Sequence, residues 1–182
     1  LNSFPNNITK FFRDKINFGK QLSSGTEGII YEMNDNNNKV FKIIKYSKEE
    51  MEIIKYINKK MNKENSSLHE VVPKMSEPII HSNKKYIGYF MDKLDMSLYN
   101  LKKNGFEFTR EHGNNIKSKL IALHKNKILH GDIFNPHNIM AKFIDKNIEW
   151  FIIDFGKSKI IENTRDLKFK EERMNFLEFI DR

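Results

Sequence analysis

The stretch EWFIIDFG, residues 149–156, limits what this chain can become more than any other feature. A short, strongly apolar run reads as a buried strand and delivers a carboxylate, Asp154, at its end. A carboxylate in that place is costly unless it is paired or bound to a metal ion. Gly156 then frees the chain to turn. Just upstream, HGDIFNPHN (residues 130–138) sets Asp132 and Asn138 six apart in a loop, far enough for both to turn towards one point. A carboxylate can orient a hydroxyl and accept its proton, and an amide oxygen can ligate Mg²⁺, a hard ion that keeps several waters. Each of these residues alone also suits an ordinary turn. His130 reads as a core histidine, and His124 and His137 as surface or structural residues.

The preceding chain decides between the two readings. Residues 16–33 read as two strands around a glycine-containing turn, and KVFKIIK (39–45) as the next strand, reached across the Asn-rich turn 34–39. SKEEMEIIKYINKKMN (47–62) reads as a helix capped by Ser47, with Glu50 in a capping box and Ile53, Ile54 and Ile57 on one face. KYIGYFMDKLD (85–95) reads as a buried strand leading into a connection. Residues 109–126 read as a helix with Ile116, Leu120 and Leu123 on one face despite Gly113, and 166–181 as a final amphipathic helix. Strands come first and helices mostly later, which predicts an α+β fold. Its expected parts are a β-rich lobe over 1–91, a connection at 92–97, and a largely helical lobe with a small hairpin over 98–182.

Two further features bear on chemistry. Gly25 and Gly28, three apart in LSSGTEGIIY (22–31), would let backbone N–H groups approach phosphate oxygens, although two glycines in a hairpin are more often only a hairpin. Lys42 sits in the middle of an apolar strand, so it must point outwards or have a charged partner. Glu50 is the candidate partner, with Glu49 and Glu52 as substitutes.

Bulk properties set the outer limits. A chain of 182 residues makes one domain or two small lobes. It has no cysteine, which removes disulfides and cysteine metal sites and fits a reducing compartment. The net charge of +8 comes from 32 Lys and Arg against 24 Asp and Glu scattered along the chain, and reads as a solvated surface rather than a nucleic-acid site. No apolar run approaches the ~18 residues of a membrane span. The first residues lack the order of a signal peptide, and the chain begins at Leu1 rather than Met, so segments beyond the ends are expected.

Glycine loop, strand Lys, helix Glu, HGDxxxxN and DFG occur once each, in that order, and in this the chain resembles the protein-kinase superfamily over residues 16–160. The resemblance implies a bilobal α+β kinase-like fold and the cofactors ATP and Mg²⁺, with Mn²⁺ as the alternative ion. Ser23 stands where the family's first loop Gly would be, while Gly25, Gly28 and Ile30 match. Ser24, Gly25, Thr26, Glu27 and Gly28 would then lie along the phosphates, with Ile30 and Val40 covering the nucleotide and Lys42 holding the α- and β-phosphates beside Glu50. Met91 and Asp92, in FMDKLD, would bind the adenine edge, and Met140 would support the base from below. Asp132 matches the catalytic base, and Asn138 and Asp154 match the metal ligands.

The departures are informative. Gly131 replaces the family's catalytic-loop Arg, Phe134 replaces the Lys two after the catalytic Asp, no A-P-E follows, and 26 residues remain after Gly156. These features are similar to the atypical branch: the small kinase of the tRNA-modifying KEOPS complex, minimal kinases that bacterial pathogens inject into host cells, and giant-virus kinases. The expected activity is Ser/Thr protein phosphorylation inside a cell, in the host cytosol if the chain is an effector or viral protein. A protein substrate and an activating partner protein are expected. A small-molecule phosphotransferase and a kinase-fold binding module are the alternatives. Ser158 and Thr164 are candidate phosphorylation sites that nothing sets apart from ordinary loop residues.

Overall fold

The computed structural model describes residues 4–24 and 28–180, and the chain divides into two units. The first runs up to Lys59 and includes Lys74–Lys93; the second is Lys60–Pro73 with the chain from Leu94 onwards. The fold is mixed α+β, with five α-helices among the described residues.

The first unit contains α1 (Asn6–Arg13), β1 (Phe18–Ser24), β2 (Gly28–Met33), β3 (Lys39–Lys45), α2 (Lys48–Met61, as far as Lys59), β4 (Ile79–Ile80) and β5 (Tyr86–Asp92). Its five strands form an antiparallel sheet in the order β1-β2-β3-β5-β4. Successive strand residues face opposite sides, and β3 is buried on both. Phe41 and Ile43 point to one side and form a core cluster with Ile29, Tyr31 and Met33 of β2, Phe18 of β1, and Phe4, Ile8 and Phe12. Val40, Lys42 and Ile44 take the other side.

Helix α1 has no counterpart in the sequence reading, which begins its elements at residue 16. Only Ile8 and Phe12 are buried along it, one turn apart, so its apolar periodicity is too short to stand out. Its stability comes from burying that pair on the sheet rather than from helix propensity. Helix α2 begins where Ser47 predicts: Ser47 Oγ accepts from the N–H of Glu50 at 3.2 Å. Asn58 Nδ2 ties it to the carbonyl of Ser76 at 3.0 Å.

The second unit contains a 3₁₀ turn (Ser67–Glu70), β6 (Met96–Ser97), α3 (Leu98–Lys103), α4 (Arg110–Lys125), β7 (Ile128–Leu129), a second 3₁₀ turn (Pro136–Asn138), β8 (Ile139–Ile144), β9 (Asn147–Ile152), β10 (Lys159–Ile160) and α5 (Leu167–Ile180). Strands β6, β8 and β9 make one antiparallel sheet, and β7 pairs with β10. Thr109 caps α4 in a reciprocal box with His112. Gly113 is tolerated within α4 because α5 comes close there: a Cβ on Gly113 would sit 2.7 Å from Ile180 Cγ2. Along α5, Phe169, Glu172 and Phe176 form the buried stripe.

The boundary departs from a cut at residue 91, because residues 60–73 group with the second unit. Leu68, Val71 and Val72 are buried. The carbonyl of Val71 accepts from Ile152 N at 2.8 Å, that of Glu70 from Lys119 Nζ at 2.6 Å, and Ser67 Oγ from Asn126 Nδ2 at 2.9 Å. Among the described residues no helix is long and apolar enough to cross a membrane.

Candidate active site

The loop from His130 to Asn138 is anchored through His130, Gly131, Asp132 and Asn138. His130 is fully buried. Its Nε2 lies 2.8 Å from the carbonyl of Ile153, and its Nδ1 accepts from the N–H of Asp132 at 3.1 Å. A carbonyl can only accept, so the ring is neutral with its proton on Nε2. Burial lowers its pKa from the ordinary 6.5, against the raising effect of the Ile153 bond. Phe155 packs edge-on against this ring with centroids 5.5 Å apart. His130 and Phe155 are therefore architecture, as the sequence suggests for His130.

The main anchor was not legible as a site residue. Glu172, on the buried stripe of α5, accepts from the N–H of His130 (3.1 Å), from the N–H of Gly131 (2.8 Å) and from His124 Nε2 (2.7 Å). Arg173 donates to His124 Nδ1 at 3.0 Å, which leaves the His124 proton on Nε2, facing Glu172. Burial pushes the Glu172 carboxyl up, but the bonds from His124 and the two backbone amides outweigh it and hold the group below its ordinary 4.5. A sequence signal did exist: a carboxylate at the centre of an apolar helical stripe must have partners.

Within this frame Asn138 Nδ2 donates to both the carbonyl and Oδ2 of Asp132, each at 3.0 Å. The two bonds orient the half-exposed Asp132 carboxylate and use the Asn138 amide hydrogens, so Oδ1 is the amide atom left for a hard cation. The carbonyl of Asn138 accepts from Ile153 N at 2.9 Å, which ties the loop to the residue before Asp154. Asp154 has φ +65°. A non-glycine residue held there costs of order 1 kcal/mol or more, and such outliers cluster where a side chain has a task. Its Oδ1 accepts from Gly156 N at 3.3 Å.

Among the described residues no three His, Cys, Asp or Glu side chains form a protein-only metal cage. Asn138 and Asp154 could offer oxygen donors, the kind that Mg²⁺ takes while filling the rest of its shell with water and phosphate. Met140 is half-buried on β8, opposite Ser97 and Phe151.

In the first unit, cross-strand register collects the expected nucleotide residues. Gly28 pairs with Ile44, Ile30 with Lys42, and Val40 with Met91, so Gly28, Ile30, Val40, Lys42 and Met91 share the sheet face opposite α1. A Cβ on Gly28 would lie 3.4 Å from Lys42 Cε, so this glycine sits directly beside the Lys stem. Gly25, Thr26 and Glu27 lie outside the described residues, as does the side chain of Ser24.

Burial separates the three candidate glutamates. Lys42 is 8% exposed and Glu50 7%, whereas Glu49 and Glu52 are exposed. Two buried opposite charges in one small unit are each costly without compensation, which singles out Glu50.

No protein-family model and no curated protein matches the chain. The reading of the site therefore rests on its own geometry. That geometry narrows one expectation and corrects another. The N–H of Asp92 is committed to the carbonyl of Lys74 at 3.0 Å and its carboxylate pairs with Lys39, so this residue retains only its carbonyl for an adenine edge. Ser158 is buried and donates to the carbonyl of His130 at 2.7 Å, which makes it a structural hydroxyl and not an accessible phosphorylation site.

Proposed function

We propose that this chain is an ATP- and Mg²⁺-dependent phosphotransferase with a bilobal protein-kinase-like fold, and that it acts on a Ser or Thr hydroxyl of a protein. The observation that carries the reading is the Asn138–Asp132 clamp, with Asp154 in its unusual backbone conformation tied next to it. A turn built only for structure has no need to fix a half-exposed carboxylate with a buried amide. The shared sheet face of Gly28, Val40, Lys42 and Met91 supports a nucleotide role for the first unit.

In this reading Asp132 orients the attacking hydroxyl and takes its proton. Lys42, compensated by Glu50, holds the α- and β-phosphates. Asn138 Oδ1 and the Asp154 carboxylate would hold Mg²⁺, which supplies charge neutralisation on the phosphate oxygens. Positioning and electrostatics make up most of such catalysis, because phosphoryl transfer asks little covalent chemistry of the protein.

The test is transfer from labelled ATP with Mg²⁺, alone and with a cell lysate as the source of substrate. Asp132→Asn keeps the side chain's shape and removes the base, and should lower labelling by about 10²-fold or more while nucleotide binding stays. Equal labelling by the variant would remove Asp132 from the mechanism. Substrate-dependent ATP consumption with no labelled protein would move the assignment to a small-molecule kinase.

A further inference from the structure

The charge absent at residue 134 is present at residue 157. We propose that Lys157 contacts the γ-phosphate beside Asp132 and serves as a catalytic cation of this site. The inference rests on the phosphotransfer reading and adds a residue that the motif comparison does not contain.

Four observations converge. Phe134, two residues after Asp132, carries no charge, and its exposed ring meets Phe179 of α5 edge-on at 6.0 Å. Lys157 Nζ lies 3.9 Å from Asp132 Oδ1. The root of Lys157 is fixed: Ser158 bonds the carbonyls of His130 (2.7 Å) and Phe155 (3.1 Å), and Lys159 is in register with Leu129. Its side chain is nevertheless 62% exposed, so a firmly placed backbone carries an ammonium open to solvent.

The fourth observation explains a second departure. Gly131 has φ +86°, and a Cβ there would stand 2.2 Å from the carbonyl oxygen of Lys157. Any side chain at 131, Arg included, would displace the backbone that carries Lys157. Gly131 and Lys157 are therefore one arrangement, in which the glycine gives up a side chain and admits the lysine backbone.

At rest the ammonium lies against the Asp132 carboxylate. During transfer the hydroxyl oxygen bonds to the γ-phosphorus and its proton passes to Asp132. The bond from that phosphorus to the bridging oxygen breaks, and ADP leaves with the electron pair. Lys157 stays protonated throughout and balances charge on the peripheral oxygens of the transferred group. As a stabilising ion pair it counts for little, since the ammonium is largely exposed and solvent screens the attraction.

Calorimetry with Mg²⁺ and either a non-hydrolysable ATP analogue or ADP tests this on the full chain. Lys157→Ala should weaken the analogue on the order of tenfold, the size of one largely exposed charge-assisted contact. ADP affinity and the thermal midpoint should stay unchanged, and Lys157→Arg should restore the analogue. Equal loss for both nucleotides, or loss for neither, overturns the role of Lys157 and leaves the phosphotransfer reading intact. Failure of the unaltered chain to bind either nucleotide overturns that reading, and the Lys157 proposal with it.

Discussion

Glu172→Ala tests whether α5 holds the His130–Asn138 loop in place. Glu172 is 7% exposed and satisfies three donors: His124 Nε2, His130 N and Gly131 N. Each buried donor left without an acceptor costs about 1–3 kcal/mol, and water entering the vacated space recovers part of the sum. A net loss of about 3–5 kcal/mol is therefore expected, the scale seen when one partner of a buried charged network is removed. That is a large fraction of a typical folding free energy of about 5–15 kcal/mol. Glu172→Gln should cost less, about 1–3 kcal/mol, because one oxygen can keep two donors while the new amide faces a backbone N–H. Urea unfolding followed by tryptophan fluorescence reads this directly. Trp150 is the single tryptophan, it is 1% exposed, and it lies in the second unit among Phe106, Phe108 and His112. With an m-value of about 2 kcal/mol/M, Glu172→Ala should lower the midpoint by roughly 2 M. A shift below about 0.3 M, or Gln costing as much as Ala, would mean that these three bonds do not hold the loop.

Acidification should destabilise the second unit in two stages. His130 and Glu172 are both held below their ordinary values of 6.5 and 4.5, so the stability each contributes is complete above that value and is lost as pH falls through the lower, folded one. Urea midpoints should fall progressively below pH 6.5 and again below 4.5, and Glu172→Gln should reduce the second fall; stability that rises on acidification would contradict both assignments. Gly131→Ala combines a left-handed backbone with a Cβ driven against the Lys157 carbonyl and should cost about 2–4 kcal/mol. A thermal midpoint equal to that of the unaltered chain would show that the backbone yields there without cost.

What the sequence reveals depends on how far apart the interacting residues lie. Helix and strand periodicity is local, and it locates α2, α4 and α5 to within one residue at each end, and β3 at Lys39–Lys45. The reach of residues 60–73 into the second unit depends on bonds to Lys119, Asn126 and Ile152, distant in sequence, and no local pattern encodes it. Two buried glutamates show the same divide within the candidate site. Glu50 falls on the stripe of Ile53, Ile54 and Ile57, so helical phase alone already favours it over Glu52, and burial then excludes Glu49. Glu172 occupies an equally telling place between Phe169 and Phe176, and the cost of burying its charge announces that partners exist. Those partners are 41 to 48 residues away, and two are backbone amides that leave no mark in the sequence. A charged residue on a buried stripe is thus readable as a question, and only the folded chain supplies the groups that answer it.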